Sequence, residues 1–405
     1  MEYTRRHEHI MLKMSEKEQE EDILEEDILE YLWDKDSFMD FGEGLKRTVR
    51  KKMPAGYPKE EAFYLKARGA KQNISFNRNT LKSWFEGTAP KKGDKDRQRM
   101  FWICFALELN IEETTEFFQK VYGDQAFNLR NYKEFVYFCC INNGWGYAHA
   151  VRMIEQIEFD SEASDHTMYT RVLHDKAKEL AEEQDIVQYI MDNRHNFDIR
   201  NRTAKKLVEE LIGEIKGRKE EIDLLQKGKI DENCSYIAQE CRYNPLIWKE
   251  LKYTDHEADG EEKSTKKSFF SIHTMVDIIY GFNLIQARIQ TEQSLLKNSS
   301  FPQAVKGRFP DQQTFNKLKK KEVTSEELRK MLILLYSYKF WIVKDYEKAD
   351  IGFTEYRDGL NDLLYEAYLQ KLYIGNPFDW LFLYCTRSRD SLGLFRALIG
   401  EGLLS

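Results

Sequence analysis

The residues with the clearest chemical potential in this chain are cationic and lie together. Positions 45–99 hold 16 lysines and arginines against 5 acidic residues, whereas positions 1–44 hold 5 against 15. The whole chain has a formal net charge of −7, so its overall balance conceals a basic island suited to a polyanion. Lysine and arginine can contact phosphates there, and arginine and asparagine can each make paired hydrogen bonds to a base edge. Catalytic chemistry finds no comparable footing. The 8 histidines form no H-E-x-x-H pair and join no cysteine at zinc spacing, and the 6 cysteines include no C-x-x-C. There is no G-x-x-x-x-G-K-[ST] phosphate cradle and no G-x-S-x-G elbow. The expectation is a binding protein that is not an enzyme and needs neither metal nor cofactor.

The elements that must position the basic residues read as helices. Apolar residues are spaced at helical intervals, only 7 prolines interrupt 405 residues, and no period-two run of β-branched residues is long enough for a sheet. The 41% hydrophobic content supplies material for cores, and the expected fold class is all-α. The start of the chain is charged throughout, and no apolar run reaches the length of a membrane span, so a cytoplasmic location without membrane contact is expected. Four regions follow: an acidic arm at 1–44, a basic helical domain at 45–160, a helical middle at 161–297 with a polar loop at 252–268, and a C-terminal helical unit at 298–405. Val208, Leu211, Ile212 and Ile215 mark one amphipathic helix of the middle region, and Ile278, Phe282, Ile285 and Ile289 another. The segment 15–40 reads either as an amphipathic helix or as a solvated acidic arm. Its charge also permits it to fold over the basic face and compete with nucleic acid.

Two distant stretches match each other. Glu116-Phe117-Phe118, Tyr122, the run Asn131–Phe138 and Arg152-Met153-Ile154 answer Asp362-Leu363-Leu364, Tyr368, the run Asn376–Leu383 and Ala397-Leu398-Ile399, with one gap of a single residue. Upstream, Thr80, Leu81 and Trp84 answer Thr314, Phe315 and Leu318, and Arg99-x-Phe101-x-Ile103 answers Arg329-x-Met331-x-Ile333. This order of features predicts a duplicated unit of about five helices. If so, Phe117, Phe118, Phe135 and Phe138 are buried, as are Leu363, Leu364, Trp380 and Leu383. The outward residues of the second copy, Gln312, Gln313, Asn316 and Lys317, leave it open as a second DNA reader or as a degenerate copy used for dimerisation.

Within the basic block, the N-cap candidate Asn77, the segment Trp84-Phe85-Glu86-Gly87 and Pro90, and the run Leu109-Asn110-Ile111-Glu112-Glu113-Thr114 are similar in type and order to the phage-repressor/Cro-type helix-turn-helix family. The resemblance covers residues 45–109, with first, second and third helices read as Leu45–Met53, Lys59–Ala70 and Arg78–Glu86. Two connections, 53–58 and 71–76, are longer than the family pattern. The resemblance implies a third helix in the major groove of double-stranded DNA, with Arg78, Asn79, Lys82 and Ser83 facing bases. Lys46, Arg47, Lys91 and Lys92 would lie near phosphates. It also implies a bacterial transcription regulator acting as a homodimer. The alternative is a helical interaction or scaffold protein, for example in phage defence, that does not read sequence.

Overall fold

Asp40, Asn77, Asn110, Asn131 and Asn376 each start a helix of this protein with a short polar side chain that accepts from an orphan backbone amide. The computed structural model describes residues 2–19, 25–34, 37–38, 40–90, 93–158, 170–197, 202–226, 272–280, 309–320, 323–343, 349–388 and 390–404, and every regular element among them is a helix. The chain is all-α, as its apolar spacing predicts. After α1 (Glu2–Gln19) and α2 (Glu25–Trp33) come α3 (Phe41–Lys52), α4 (Glu61–Lys71), α5 (Arg78–Phe85), α6 (Asp94–Ala106) and α7 (Ile111–Phe117). A π-helical turn, Phe118–Tyr122, continues α7 and is followed by α8 (Tyr132–Asn142), α9 (Tyr147–Gln156), α10 (Thr170–Glu179) and α11 (Glu183–Asp192). Then come α12 (Arg202–Gln226), α13 (Ile272–Tyr280), α14 (Gln312–Lys320), α15 (Ser325–Val343), α16 (Ala349–Glu366), α17 (Pro377–Arg387) and α18 (Ser391–Leu404). The polar loop 252–268 and the positions Phe282, Ile285 and Ile289 lie outside the described residues.

Two hydrophobic cores organise these helices. The first is built by α3 to α11, with Leu45, Leu65, Met100, Phe101, Phe118, Phe135 and Ile190 at its centre. The second gathers α12 to α18 and, from the far end of the chain, α1 and α2. Val208, Leu211 and Ile215 of α12 are buried against α15, and Glu214 pairs with Lys339. The stretch 161–297 is thus shared between the cores, with α10 and α11 in one and α12 and α13 in the other.

Among the described residues the acidic arm forms two helices, α1 and α2, that dock away from the basic helices α3 to α5. Its apolar side belongs to the second core: α1 packs on α17, α2 packs on α18, and Met11, Ile28, Leu29, Leu32 and Phe38 are buried there. Burial of apolar area drives this docking, and no such area is offered by a lysine-rich surface. His7 is sealed in the joint, stacked on Phe38 at 4.7 Å, with Nδ1 and the Tyr31 hydroxyl 2.6 Å apart in a shared hydrogen bond. Burial, and then the neighbouring Arg6, lowers the His7 pKa to about 4. A base whose folded pKa lies below its unfolded value of 6.5 costs nothing above pH 6.5 and destabilises the fold as pH drops toward 4. We therefore expect amide exchange in α1 to accelerate over that interval in the wild type, and to change much less in His7→Phe. Parallel curves for the two proteins would remove His7 from the account.

The repeat is visible atom by atom. The series α5, α6, α7 with its π turn, α8 and α9 is matched in order by α14, α15, α16, α17 and α18. In the first unit, Asn131 caps α8 and Glu134 Oε2 accepts from the Asn128 amide at 2.6 Å. Arg97 donates to both Glu134 oxygens, at 2.6 and 2.8 Å, and to the Ala126 carbonyl at 3.1 Å. In the second unit, Asn376 caps α17 and Asp379 accepts from the Tyr373 amide at 2.8 Å. Arg329 donates to both Asp379 oxygens, at 2.9 and 2.6 Å, and to the Lys371 carbonyl at 3.1 Å. Cap, carboxylate, amide and carbonyl occupy the same offsets in both units. The partner of Arg329 in the repeat is therefore Arg97, and the sequence pairing of Arg329 with Arg99 is corrected by two positions. The single-residue gap falls at the π turn, where the Asp124 amide reaches back to the Phe118 carbonyl at 3.0 Å, while its counterpart Leu369 reaches Leu364 at 2.8 Å.

Phe117, Phe118, Phe135, Phe138, Leu364, Trp380 and Leu383 are buried as the repeat predicts. Leu363 is an exception, being only half-buried on the flank of α16. Equivalent residues of the two units face one another across a narrow cleft, Arg97, Asp124 and Gln125 opposite Arg329, Leu369 and Gln370. Arg130, buried at 1% exposure, pins this junction: it donates to the Asn196 carbonyl at 3.2 Å and to the Tyr368 hydroxyl at 3.3 Å, and it lies over the Tyr368 ring.

Candidate nucleic-acid interface

The basic surface is built on α3, α4 and α5. Asn77 opens α5 by accepting from the amides of Asn79 and Thr80 at 2.9 and 3.2 Å. Leu81, Trp84 and Phe85 bury the inner side of α5 against α3, where Trp84 meets Phe41 edge to face. Gly87, at φ +98°, ends the helix in a conformation that a side chain would strain. Between α4 and α5, Gly69 lets the Phe76 ring approach to within 2.6 Å of where a Cβ would stand, which packs the connection against the end of α4.

With its inner side so fixed, α5 exposes Arg78, Asn79 and Lys82 to solvent. Ser83 is half-buried and donates its hydroxyl to the Thr80 carbonyl at 3.1 Å, so it is the least available of the four. Lys82 lies 3.8 Å from Glu86, a loose exposed pair that a phosphate could replace at little cost. On α3, Arg47 is exposed and bonded to Glu43 at 3.0 Å, and Lys46 is half-exposed. Lys91 and Lys92 lie outside the described residues. The connection 72–77 separates α4 from α5 by six residues, so these two helices do not form a tight turn.

Several cations of the block serve the fold. Arg97 is enclosed by Glu134 and by Asp124 at 2.7 Å. Burial opposes its charge, but the two carboxylates outweigh this and hold the guanidinium above its ordinary pKa. Lys52 pairs with Glu113 at 2.7 Å, and Arg68 donates to the Ala106 carbonyl at 3.1 Å. Glu113 also completes a capping box with Asn110 at the start of α7, as the polar run at 109–114 predicts. Beside the Arg97–Glu134 pair a cleft of about 340 Å³ opens between Lys95, Gln98, Lys133 and Tyr137. In the second unit the counterparts of Lys133 and Tyr137 are Phe378 and Phe382, and Phe309 packs on both. Neither a cluster of His, Cys, Asp and Glu able to hold a metal nor a helix long and apolar enough to cross a membrane occurs among the described residues. The thiols of Cys104, Cys139 and Cys140 are buried, and burial raises the pKa of each.

One outward face escaped the sequence reading. Phe63 and Lys66 lie along the exposed side of α4, and Phe63 is 46% exposed with the Nζ of Lys59, from the segment just before the helix, 3.7 Å from its ring centroid. The signal was present as an aromatic residue out of phase with the buried Tyr64 and Leu65. No protein-family model, curated protein or solved structure matches this chain.

Proposed function

We propose that the protein is a DNA-binding transcription regulator in which α5 enters the major groove and α3 approaches the phosphates. The observation that carries this reading is the two-sided nature of α5. Its apolar side is anchored by Leu81, Trp84 and Phe85, while Arg78, Asn79 and Lys82 stand exposed beside one another. Arginine matches the two acceptors of guanine and asparagine the donor–acceptor pair of adenine. Lys46 and Arg47 on α3 provide charge that holds the protein on the duplex without reading it. Action as a homodimer in the bacterial cytoplasm belongs to the same proposal, since two half-sites give a short helix its specificity.

A second reading, as a helical interaction or scaffold protein in phage defence, is favoured by the six-residue connection between α4 and α5. It is favoured also by the C-terminal copy, whose outward Gln313 and Asn316 carry no charge. Salt separates the two. Four phosphate contacts release enough counterions to give log affinity a slope of about −3 to −4 against log salt. A flat salt response would leave only the interaction protein. For base reading, Arg78→Ala and Asn79→Ala are each expected to weaken a selected site by about 1–3 kcal/mol, with thermal melting unchanged. Wild-type affinity in both variants would exclude α5 from the groove.

A further inference from the structure

The outer face of α4 lies beside the groove-reading surface and has a chemistry of its own. Phe63, Lys66 and Ala70 recur at helical spacing and are exposed, and Lys59, exposed in the approach to the helix, reaches over Phe63. Lys46 of the adjoining α3 contributes charge close by, since it acts on Glu61 in the first turn of α4. Phe63 is the one exposed large hydrophobic residue among the described residues of α3 to α9. A phenyl ring standing in water costs apolar hydration, and here Lys59 lies over it and Lys66 stands one turn on, with Glu60 exposed one turn before, so an apolar protein partner would have to strip charged groups of water. The complement of such a face is a flat, weakly hydrated ring attached to a negative charge. An unpaired base on its phosphate backbone has both features, whereas the bases of an intact duplex are stacked and closed to a ring.

We propose that the α4 face is a binding site for single-stranded nucleic acid, with a base stacked on Phe63 and backbone phosphates at Lys59 and Lys66. The Nζ of Lys59 lies 3.7 Å from the ring centroid, so a base that stacks on Phe63 brings its phosphate next to that charge. This site is separate from the groove contact of α5 and stands or falls independently of it.

The test uses the full chain and a fluorescent 20-nucleotide oligothymidylate, which has no duplex structure, followed by anisotropy at low salt. Phe63→Ala is expected to weaken binding by about 5- to 150-fold, the equivalent of about 1–3 kcal/mol for one stacked base. Phe63→Tyr, which keeps the ring, should stay within about twofold of wild type on the same stacking argument. Lys66→Ala should flatten the salt dependence by about one phosphate contact. Arg78→Ala should leave oligothymidylate binding unchanged while lowering affinity for a selected duplex. Because Phe63 is exposed, all variants should melt with the wild type. The proposal is overturned by a wild type that does not bind the oligomer, by equal affinity of wild type and Phe63→Ala, or by a Phe63→Ala loss confined to duplex DNA.

Discussion

Arg97→Ala and Arg329→Ala are each expected to destabilise the protein by about 3–5 kcal/mol in urea unfolding, the range for removing one partner of a buried ion pair. In the first unit the loss takes from Glu134, 4% exposed, the guanidinium bonded to both its oxygens, with Asp124 beside it. In the second it leaves Asp379, at 0% exposure, in the same position. Each arginine also satisfies backbone carbonyls in the loop before the capped helix, Ala126 in one unit and Gln370 and Lys371 in the other. Those carbonyls become unpaired as well, which adds to the cost. Replacing Arg329 and Asp379 together by Met and Leu should recover part of the loss, because no charge is then left buried. A loss below about 1 kcal/mol in either single variant would mean that water reaches the carboxylate, contrary to the enclosed geometry.

Trp380→Ala is the second large effect, about 3–5 kcal/mol by the usual cost of truncating a buried aromatic. Its ring lies 4.9 Å from Tyr31, 6.3 Å from Phe38 and 5.1 Å from Tyr384, so it joins the N-terminal helices to α17. The variant should therefore do more than lower stability. Amide exchange in α1 and α2 should speed up much more than in α3 to α9, whose core contains no contact with Trp380. Uniform acceleration through both cores would show that the arm is not held through this ring.

Much of the local architecture is legible in the sequence because it depends on neighbours a few residues apart. Asn77, Asn110 and Asn131 each cap the helix that follows them, and an asparagine three residues before the amide that donates to it can be recognised from spacing alone. The duplicated order of helices is legible for the same reason, since each copy repeats its apolar phase. What escapes is pairing at long range. Arg97 counts toward the basic island by composition, yet its carboxylate lies 37 positions away and is found only when the helices pack. Composition also places the acidic arm opposite the basic block by charge, whereas its docking is decided by Met11, Ile28 and Leu32 meeting an apolar surface at the other end of the chain. For the candidate site, the outward residues of α5 follow from its period, and the six-residue connection before it is countable. The exposure of Phe63 is hinted at only by its phase, one position before the buried Tyr64 and Leu65, and is decided by which side of α4 its neighbours cover.

The docking of α1 and α2 on α17 and α18 sets an order of events during synthesis. The first core comprises one continuous stretch, 41–197, and can close while the ribosome is still translating. The second cannot, because its first helices emerge at the start and their partners at the end. Residues 34–376 separate them, and at about 5–20 residues per second this interval lasts roughly 17–70 s. Throughout it the apolar sides of α1 and α2 are without their final cover, as in any fold whose pairings are distant along the chain. Of the two, α2 carries Glu25, Glu26, Asp27 and Glu30 with no lysine or arginine, and like charges on nascent chains repel one another, which disfavours aggregation of that waiting segment.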